Sequence, residues 1–244
     1  TLIGGTKREH HSGITVDEAG YIYIAGGTES SDFPTTEGAY DTSFNGAKSW
    51  GGDVFVTKLN PTGTEIVFST FIGGEAQETV GTGGIKVDSE GNIIIVGATG
   101  SHDFPLTKGV IDNNDNLHGF LSKLSPDGEK LLFSTFFGSS PREGINGLTI
   151  DDKDNMYIVG ATYTAGLPVT DNAFRKEVMI PESGYLIDHY IPKINKKGSE
   201  ISYFSYFATD AYSMSSIKWA KPNRLIVCGS TTAEAFPVTD NAIS

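Results

Sequence analysis

The sequence predicts an all-β chain of tandem four-stranded antiparallel sheets. Three observations predict it. A Gly-ended apolar segment recurs four times, short alternating strands flank each copy, and residues that tolerate a left-handed backbone stand at one fixed offset.

The recurring segments are Tyr21-Ile-Tyr-Ile-Ala-Gly26, Asn92-Ile-Ile-Ile-Val-Gly97, Asn155-Met-Tyr-Ile-Val-Gly160 and Arg224-Leu-Ile-Val-Cys-Gly229, with anchor glycines 71, 63 and 69 residues apart. Before each lies a short strand with apolar residues two apart: Ile14 and Val16, Ile85 and Val87, Leu148 and Ile150, Ile217 and Trp219. Gly13, Gly84, Gly147 and Ser216 precede these strands, small residues that fit where strands crowd near an axis. Gly20, Gly91, Asp154 and Asn223 stand six residues before each anchor, as a fixed left-handed turn position requires. The fourth copy has Ala220 and Pro222 where the others carry Asp17, Asp88 and Asp151 and no proline. Eight residues after each anchor come Pro34, Pro105, Pro168 and Pro237.

The second half of the unit appears three times. Strand residues 54–59, 120–124 and 190–194 lead into the turns Asn60-Pro-Thr-Gly63, Ser125-Pro-Asp-Gly128 and Asn195-Lys-Lys-Gly198. Pro in second and Gly in fourth place mark type I turns. Aromatic and Thr-rich strands follow at 66–73, 131–138 and 201–208. The second and fourth strands of each unit are apolar on both faces, so both faces require cover. Four-stranded sheets packed face to face around an axis supply it, which is a β-propeller. The chain reads as one propeller segment over residues 1–244, with repeats near 14–73, 85–138, 148–208 and 217–244, about three and a half blades. Residues 1–5 match the end of a preceding fourth strand (compare Phe71-Ile-Gly-Gly74), so further blades, in the same chain or a partner, are expected to close the ring. Gly20, Gly26, Pro34, Gly63, Gly91, Gly97, Pro105, Gly128, Gly160, Pro168, Gly229 and Pro237 are the structural repeat positions.

Composition narrows the function. Eighteen Lys and Arg against 30 Asp and Glu give a formal charge of −12, a surface that repels phosphate backbones and anionic lipid, so neither nucleic acid nor membrane insertion is expected. The one cysteine, Cys228, permits no intrachain disulfide and no Cys-based zinc site.

Across the whole unit the pattern becomes specific. Val16-Asp-x-x-Gly20-x-Ile-Tyr-Ile-x-Gly26, Asp32-Phe-Pro-Thr-Thr-x-Gly-Ala-Tyr40, Gly52-Asp-x-Phe-Val-x-Lys-Leu-Asn-Pro-x-Gly63 and Phe68-Ser-Thr-Phe-Ile-Gly-Gly74 resemble the SBBP family of bacterial β-propeller repeats. The resemblance covers nearly the whole chain, most fully in the first unit. It implies a seven-bladed type of propeller in long, exported, often surface-attached bacterial proteins, with adhesion or surface-assembly roles, an extracellular or cell-surface location and no shared catalytic residues.

Candidate sites are few. Asp112-Asn-Asn-Asp-Asn116 opens like a calcium loop, but Leu117 and Lys123 stand where Gly and the bidentate Glu belong. An ordinary polar loop is the plainer reading, and no cofactor or metal is expected. His10 and His11 point to opposite faces of a strand, and His102, His118 and His189 read as surface or turn residues. Asp17, Asp88 and Asp151 suit either a ring of ligands or turn caps, and the caps are the simpler reading. Phe44 and Trp50, in a loop with no repeat counterpart, are the candidate ligand-binding aromatics, against the alternative of local packing. Tyr40 shares its position with Ile111, Phe174 and Ile243 and reads as core. The expected function is a non-catalytic segment making protein or glycan contacts at a bacterial surface. The alternatives are a structural spacer or assembly subunit, and a propeller enzyme acting on polysaccharide.

Overall fold

Each repeat folds as an antiparallel meander, because its strands are short, two-sided and joined by tight turns. The computed structural model describes residues 1–46, 52–109, 111, 119–138, 144–163, 165–178, 188–209 and 211–231. Strands β1 (Glu9–Val16), β2 (Ile22–Thr28), β3 (Asp53–Leu59) and β4 (Ile66–Ile72) pair in chain order as one sheet. A second sheet contains β5 (Glu78–Val87), β6 (Ile93–Thr99), β7 (Gly119–Leu124) and β8 (Leu131–Phe137). The third contains β9 (Gly144–Ile150), β10 (Met156–Thr162), β11 (Asp188–Ile194) and β12 (Ile201–Thr209), and β13 (Ala211–Ala220) pairs with β14 (Arg224–Thr231) as a hairpin. These are successive propeller blades, and no ring closure is seen among the described residues.

The turns obey the expected chemistry. Gly20, Gly91, Asp154 and Asn223 all have positive φ, so three residue types share one backbone state. Asn223 keeps it although Pro222 enters its turn through a cis peptide bond. The third-to-fourth-strand turns close by Gly63 N to Asn60 O, Gly128 N to Ser125 O and Gly198 N to Asn195 O, at 2.9–3.0 Å.

The first strand of each blade starts earlier than the alternation predicts. It begins at Glu9, Glu78, Gly144 and Ala211, upstream of Ile14, Ile85, Leu148 and Ile217, and register shifts lie between the two parts in β1, β5 and β13. A bulge resets the side-chain period, which hides the outer part of the strand from a pattern search. It also explains the anchor glycines. A Cβ on Gly26 would lie 2.4 Å from His10 O, and on Gly97 1.9 Å from Thr79 O, with Phe55 and Phe120 rings closing the other side at 2.8 Å. Backbone approach, not turn geometry, demands glycine here.

The core lies between blades. Tyr23, Val54, Val56 and Ile72 of the first sheet pack on Ile85, Ile93, Ile95, Phe120 and Phe136 of the second. Ile94, Val96, Leu121 and Phe137 meet Leu148, Ile158, Tyr190 and Tyr206 in the same way. Tyr157, Val159 and Ile191 meet Met214, Ile217 and Trp219. Each such side chain contributes about 1.5–3 kcal/mol when removed from water, so blade stacking holds the fold together.

A further device is invisible in the strand pattern. After Phe33-Pro34, Phe104-Pro105 and Leu167-Pro168 the loop returns along the outermost strand. Thr36, Thr107 and Thr170 donate backbone N–H groups to Ser69 O, Ser134 O and Phe204 O, and their hydroxyls accept from the same three residues' amides at 2.9–3.0 Å. The loop thereby pairs part of an edge that otherwise invites another strand.

Candidate functional site

The innermost strands β1, β5, β9 and β13 make the closest approaches between sheets, and their turns surround a concave mouth of about 770 Å³. Asp17, Glu18, Asp88, Asp151, Asp152 and Asp154 line it, with Lys86 and Lys221. Lys86 is pushed below its ordinary pKa by burial and by the like charge of Lys218.

The repeated aspartates are spent on the turns. Asp17 accepts from Tyr21 N and Tyr23 Oη, both at 2.9 Å. Asp88 accepts from Glu90 N, Asn92 N and Asn92 Nδ2, and pairs with Lys123 Nζ at 3.0 Å. Asp151 accepts from Lys153 N, Asn155 N and Tyr157 Oη and meets Lys193 Nζ at 3.4 Å. The turn-cap reading is the one the geometry supports. Asp154, in the left-handed turn position, accepts from Ser89 N at 3.0 Å and Ser89 Oγ at 2.6 Å, tying the second blade's turn to the third's.

The lysine on the third strand recurs with changing partners. Lys58 lies over the Tyr21 and Tyr23 rings, 4.6 and 5.0 Å from their centroids. Lys123 reaches Asp88 and the Lys196 carbonyl, and Lys193 lies 5.3 Å from the Tyr157 centroid. This is a structural cation, shielded by π faces or paired with a carboxylate.

Acid sensitivity follows. Burial raises the pKa of Asp88 and Asp151, but hydrogen bonds from Asn92 and Lys123, and from Asn155, Lys153 and Tyr157, outweigh it and hold both carboxyls below the usual range. Folded values below unfolded ones mean that this stability is present above about pH 4 and is lost as pH falls through the folded values. Urea midpoints measured downward from about pH 5 are expected to drop, and Asp151→Asn should flatten the drop. Parallel curves for wild type and variant would sink the assignment.

A second constellation sits where the first two blades meet. Asp53 opens β3 and Glu78 opens β5, and both are buried. Glu78 Oε1 accepts from Thr99 Oγ1 at 2.7 Å and Ser101 Oγ at 2.5 Å. Asp53 Oδ2 accepts from Asn45 N at 2.8 Å, while Asp53 Oδ1 is buried with no hydrogen-bond partner. Burial first, and then neighbouring carboxylates, push Asp53 up to about 6; burial and Asp53 push Glu78 up to about 7. Glu9 repeats the Glu78 arrangement, bound by Ser30 Oγ at 2.7 Å and Gly5 N at 2.9 Å. Nothing in the strand pattern singled out Glu9 and Glu78, because they lie in the part of the strand beyond the bulge; Asp53 stood in the Gly52-Asp-x-Phe pattern with no role assigned to it.

Phe44 is half-buried, its ring 6.0 Å from that of Phe71 and edge-on, in a cluster with Phe33 and Phe55. Trp50, Pro237, Ile243, His118 and the Asp112–Asn116 stretch lie outside the described residues. Tyr40 and Ile111 pack against the core, whereas Phe174 is exposed. His102 is exposed, as expected, but His189 is buried on β11. It occupies the strand position of Val54 and Gly119, covered on both sides by pairing with β10 and β12, which corrects its reading as a surface or turn residue.

Residues 12–34, from the bulge of β1 through the Asp17 turn and β2 to the Phe33-Pro34 pair, match the family model SBBP, described as a beta-propeller repeat. That stretch is similar to an SBBP repeat. No curated protein matches it. The SBBP match spans the turn cap Asp17, the left-handed Gly20 and the close-approach Gly26, the three features that the geometry gives a structural reason. The second and third sheets reproduce them at Asp88, Gly91 and Gly97 and at Asp151, Asp154 and Gly160.

Proposed function

We propose that this chain is a non-catalytic propeller segment of an exported bacterial protein that makes protein contacts at the cell surface, its blades docking on further blades. The carrying observation is an uncovered apolar face. Ile14 and Val16 are 67% and 58% exposed, whereas Ile85, Leu148 and Ile217, the counterparts of Ile14, are buried under the preceding blade. At the other end of the blade series Ile226 is 52% exposed, where Tyr23, Ile94 and Tyr157 are buried under the following one. Each uncovered face has the composition of a face that the repeat elsewhere covers with its own kind. Residues 1–5 fit this scheme: Ile3 packs on Phe33, Phe55 and Phe71, as Ile72 packs on the second blade. Resemblance to exported bacterial repeats supports the location. Glycan contact through the Phe44 loop is less favoured, since that ring belongs to the Phe71 cluster.

The test is sedimentation velocity over micromolar concentrations, with a second copy of the chain as the probe blade. Wild type is expected to self-associate, and Ile14→Asp with Val16→Asp to weaken association about tenfold or more without unfolding. A wild type that stays monomeric, or a double variant that associates equally, removes the docking reading.

A further inference from the structure

The junction of the first two blades holds negative charge that the same fold neutralises elsewhere. Asp188 occupies in the third repeat the position of Asp53 in the first, at the start of the third strand. It is paired with Arg175 Nη2 at 2.5 Å. Arg175 N donates to Ser205 Oγ and its carbonyl accepts from Tyr206 N. In the first repeat Asp41 makes those same contacts, with Thr70 Oγ1 and Phe71 N. A carboxylate thus stands where the third blade carries a guanidinium.

Asp53 is 0% exposed and Glu78 2%. Two of their oxygens converge. A methyl group placed on Gly73 would lie 2.4 Å from Asp53 Oδ1 and 2.8 Å from Glu78 Oε2. Asn45 links Asp53 to Asp41, donating its backbone N–H to the first and its side-chain Nδ2 to the second at 3.3 Å. Among the described residues no ion pair involves Asp53, Glu78 or Asp41. A buried carboxylate oxygen without a donor is costly, and a second carboxylate beside it makes it costlier. Either a proton or a cation relieves it.

We propose that Asp53 Oδ1 and Glu78 Oε2 bind a hard divalent cation, which clamps the first blade to the second in place of the Arg175 guanidinium of the third. The donors are all oxygen, the preference of calcium and magnesium over softer metals. No group of three or more His, Cys, Asp or Glu converges among the described residues, so water supplies the rest of the shell. Calcium, which accepts irregular coordination, suits two carboxylates fixed on separate strands better than magnesium, which demands a near-ideal octahedron.

The experiment is thermal unfolding of the EDTA-treated chain at neutral pH, with calcium chloride or magnesium chloride added in turn. Terbium luminescence serves as a direct binding readout. Calcium is expected to raise the wild-type midpoint by about 3 °C or more, as binding to the native state alone requires. Asp53→Asn should abolish the rise and the terbium signal. Asp41→Arg restores the third blade's ion pair, so it should fold without added cation and ignore calcium. It decides the matter if Asp53→Asn does not fold. A stronger magnesium response supports the site and changes the ion. A wild type indifferent to both cations, or an Asp41→Arg variant as responsive as wild type, overturns the proposal and leaves a shared proton as the means of neutralisation.

Discussion

Replacing Gly97 with alanine is expected to cost about 3 kcal/mol or more, a large part of the roughly 5–15 kcal/mol that holds a domain of this kind together. The added methyl group would lie 1.9 Å from Thr79 O and 2.8 Å from Phe120 Cε1. One wall is backbone and the other a fully buried ring packed against Phe104, so neither yields cheaply. Urea denaturation checks this against Gly100→Ala as the control. A Cβ at Gly100 meets only ordinary contacts from 3.6 Å outward, and its backbone is not in the left-handed region, so that variant should stay within about 0.5 kcal/mol of wild type. Equal midpoints for the two variants would show that the anchor glycines do not serve the close approach.

Removing the Asp88 carboxylate is expected to be comparably damaging, at about 3–5 kcal/mol for Asp88→Ala. The side chains of Asp88 and Lys123 are 2% and 6% exposed. Alanine at 88 strands the Lys123 ammonium with the Lys196 carbonyl at 2.8 Å as its remaining hydrogen-bond partner, and frees the amides of Glu90 and Asn92 from their cap. The loss comes mainly from the uncompensated charge, not from the worth of the pair. The double variant Asp88→Asn with Lys123→Met should therefore recover more than half of it, because asparagine keeps the cap and methionine removes the ammonium. A double variant as unstable as Asp88→Ala would mean that the ion pair, not the stranded lysine, carries the stability. Lys123 also spans from the second blade to the turn between β11 and β12, so the loss should slacken the contact between the second and third blades.

Much of this was legible without coordinates. The left-handed position was readable because Gly20, Gly91, Asp154 and Asn223 share little except tolerance of positive φ. The aspartate caps were readable because Asp17, Asp88 and Asp151 keep a fixed offset from that position, as a side chain bonding its own turn must. The early part of each first strand was not legible. Its bulge breaks the two-residue period, so Glu9 and Glu78 look like loop residues although they sit in a sheet. His189 was misread for a related reason: it stands beside Asp188 at the polar start of β11, ahead of the apolar run at 190–194, and nothing in the sequence marks the sheet pairing that covers it. Phe44 has no repeat counterpart, so the sequence left ligand binding and local packing both open; Phe71 is near enough to claim its ring.

The sequence alone determined the repeat, the four-stranded unit, the turn chemistry and the need for blade-on-blade cover. Those follow from local rules, which act over a few residues and repeat wherever the residues do. The tertiary structure decided which faces remain uncovered and which charges are left unbalanced. Ile14 and Ile85 are the same residue at the same repeat position, and only the presence of a preceding blade makes one exposed and the other buried. Asp53 and Asp188 are likewise the same residue at the same position. Their difference rests on Asp41 or Arg175, 12 or 13 residues away in sequence, and for Asp53 on Glu78 from the next blade. Burial and electrostatics are properties of the assembled neighbourhood, because the cost of a charge depends on everything that displaces its water.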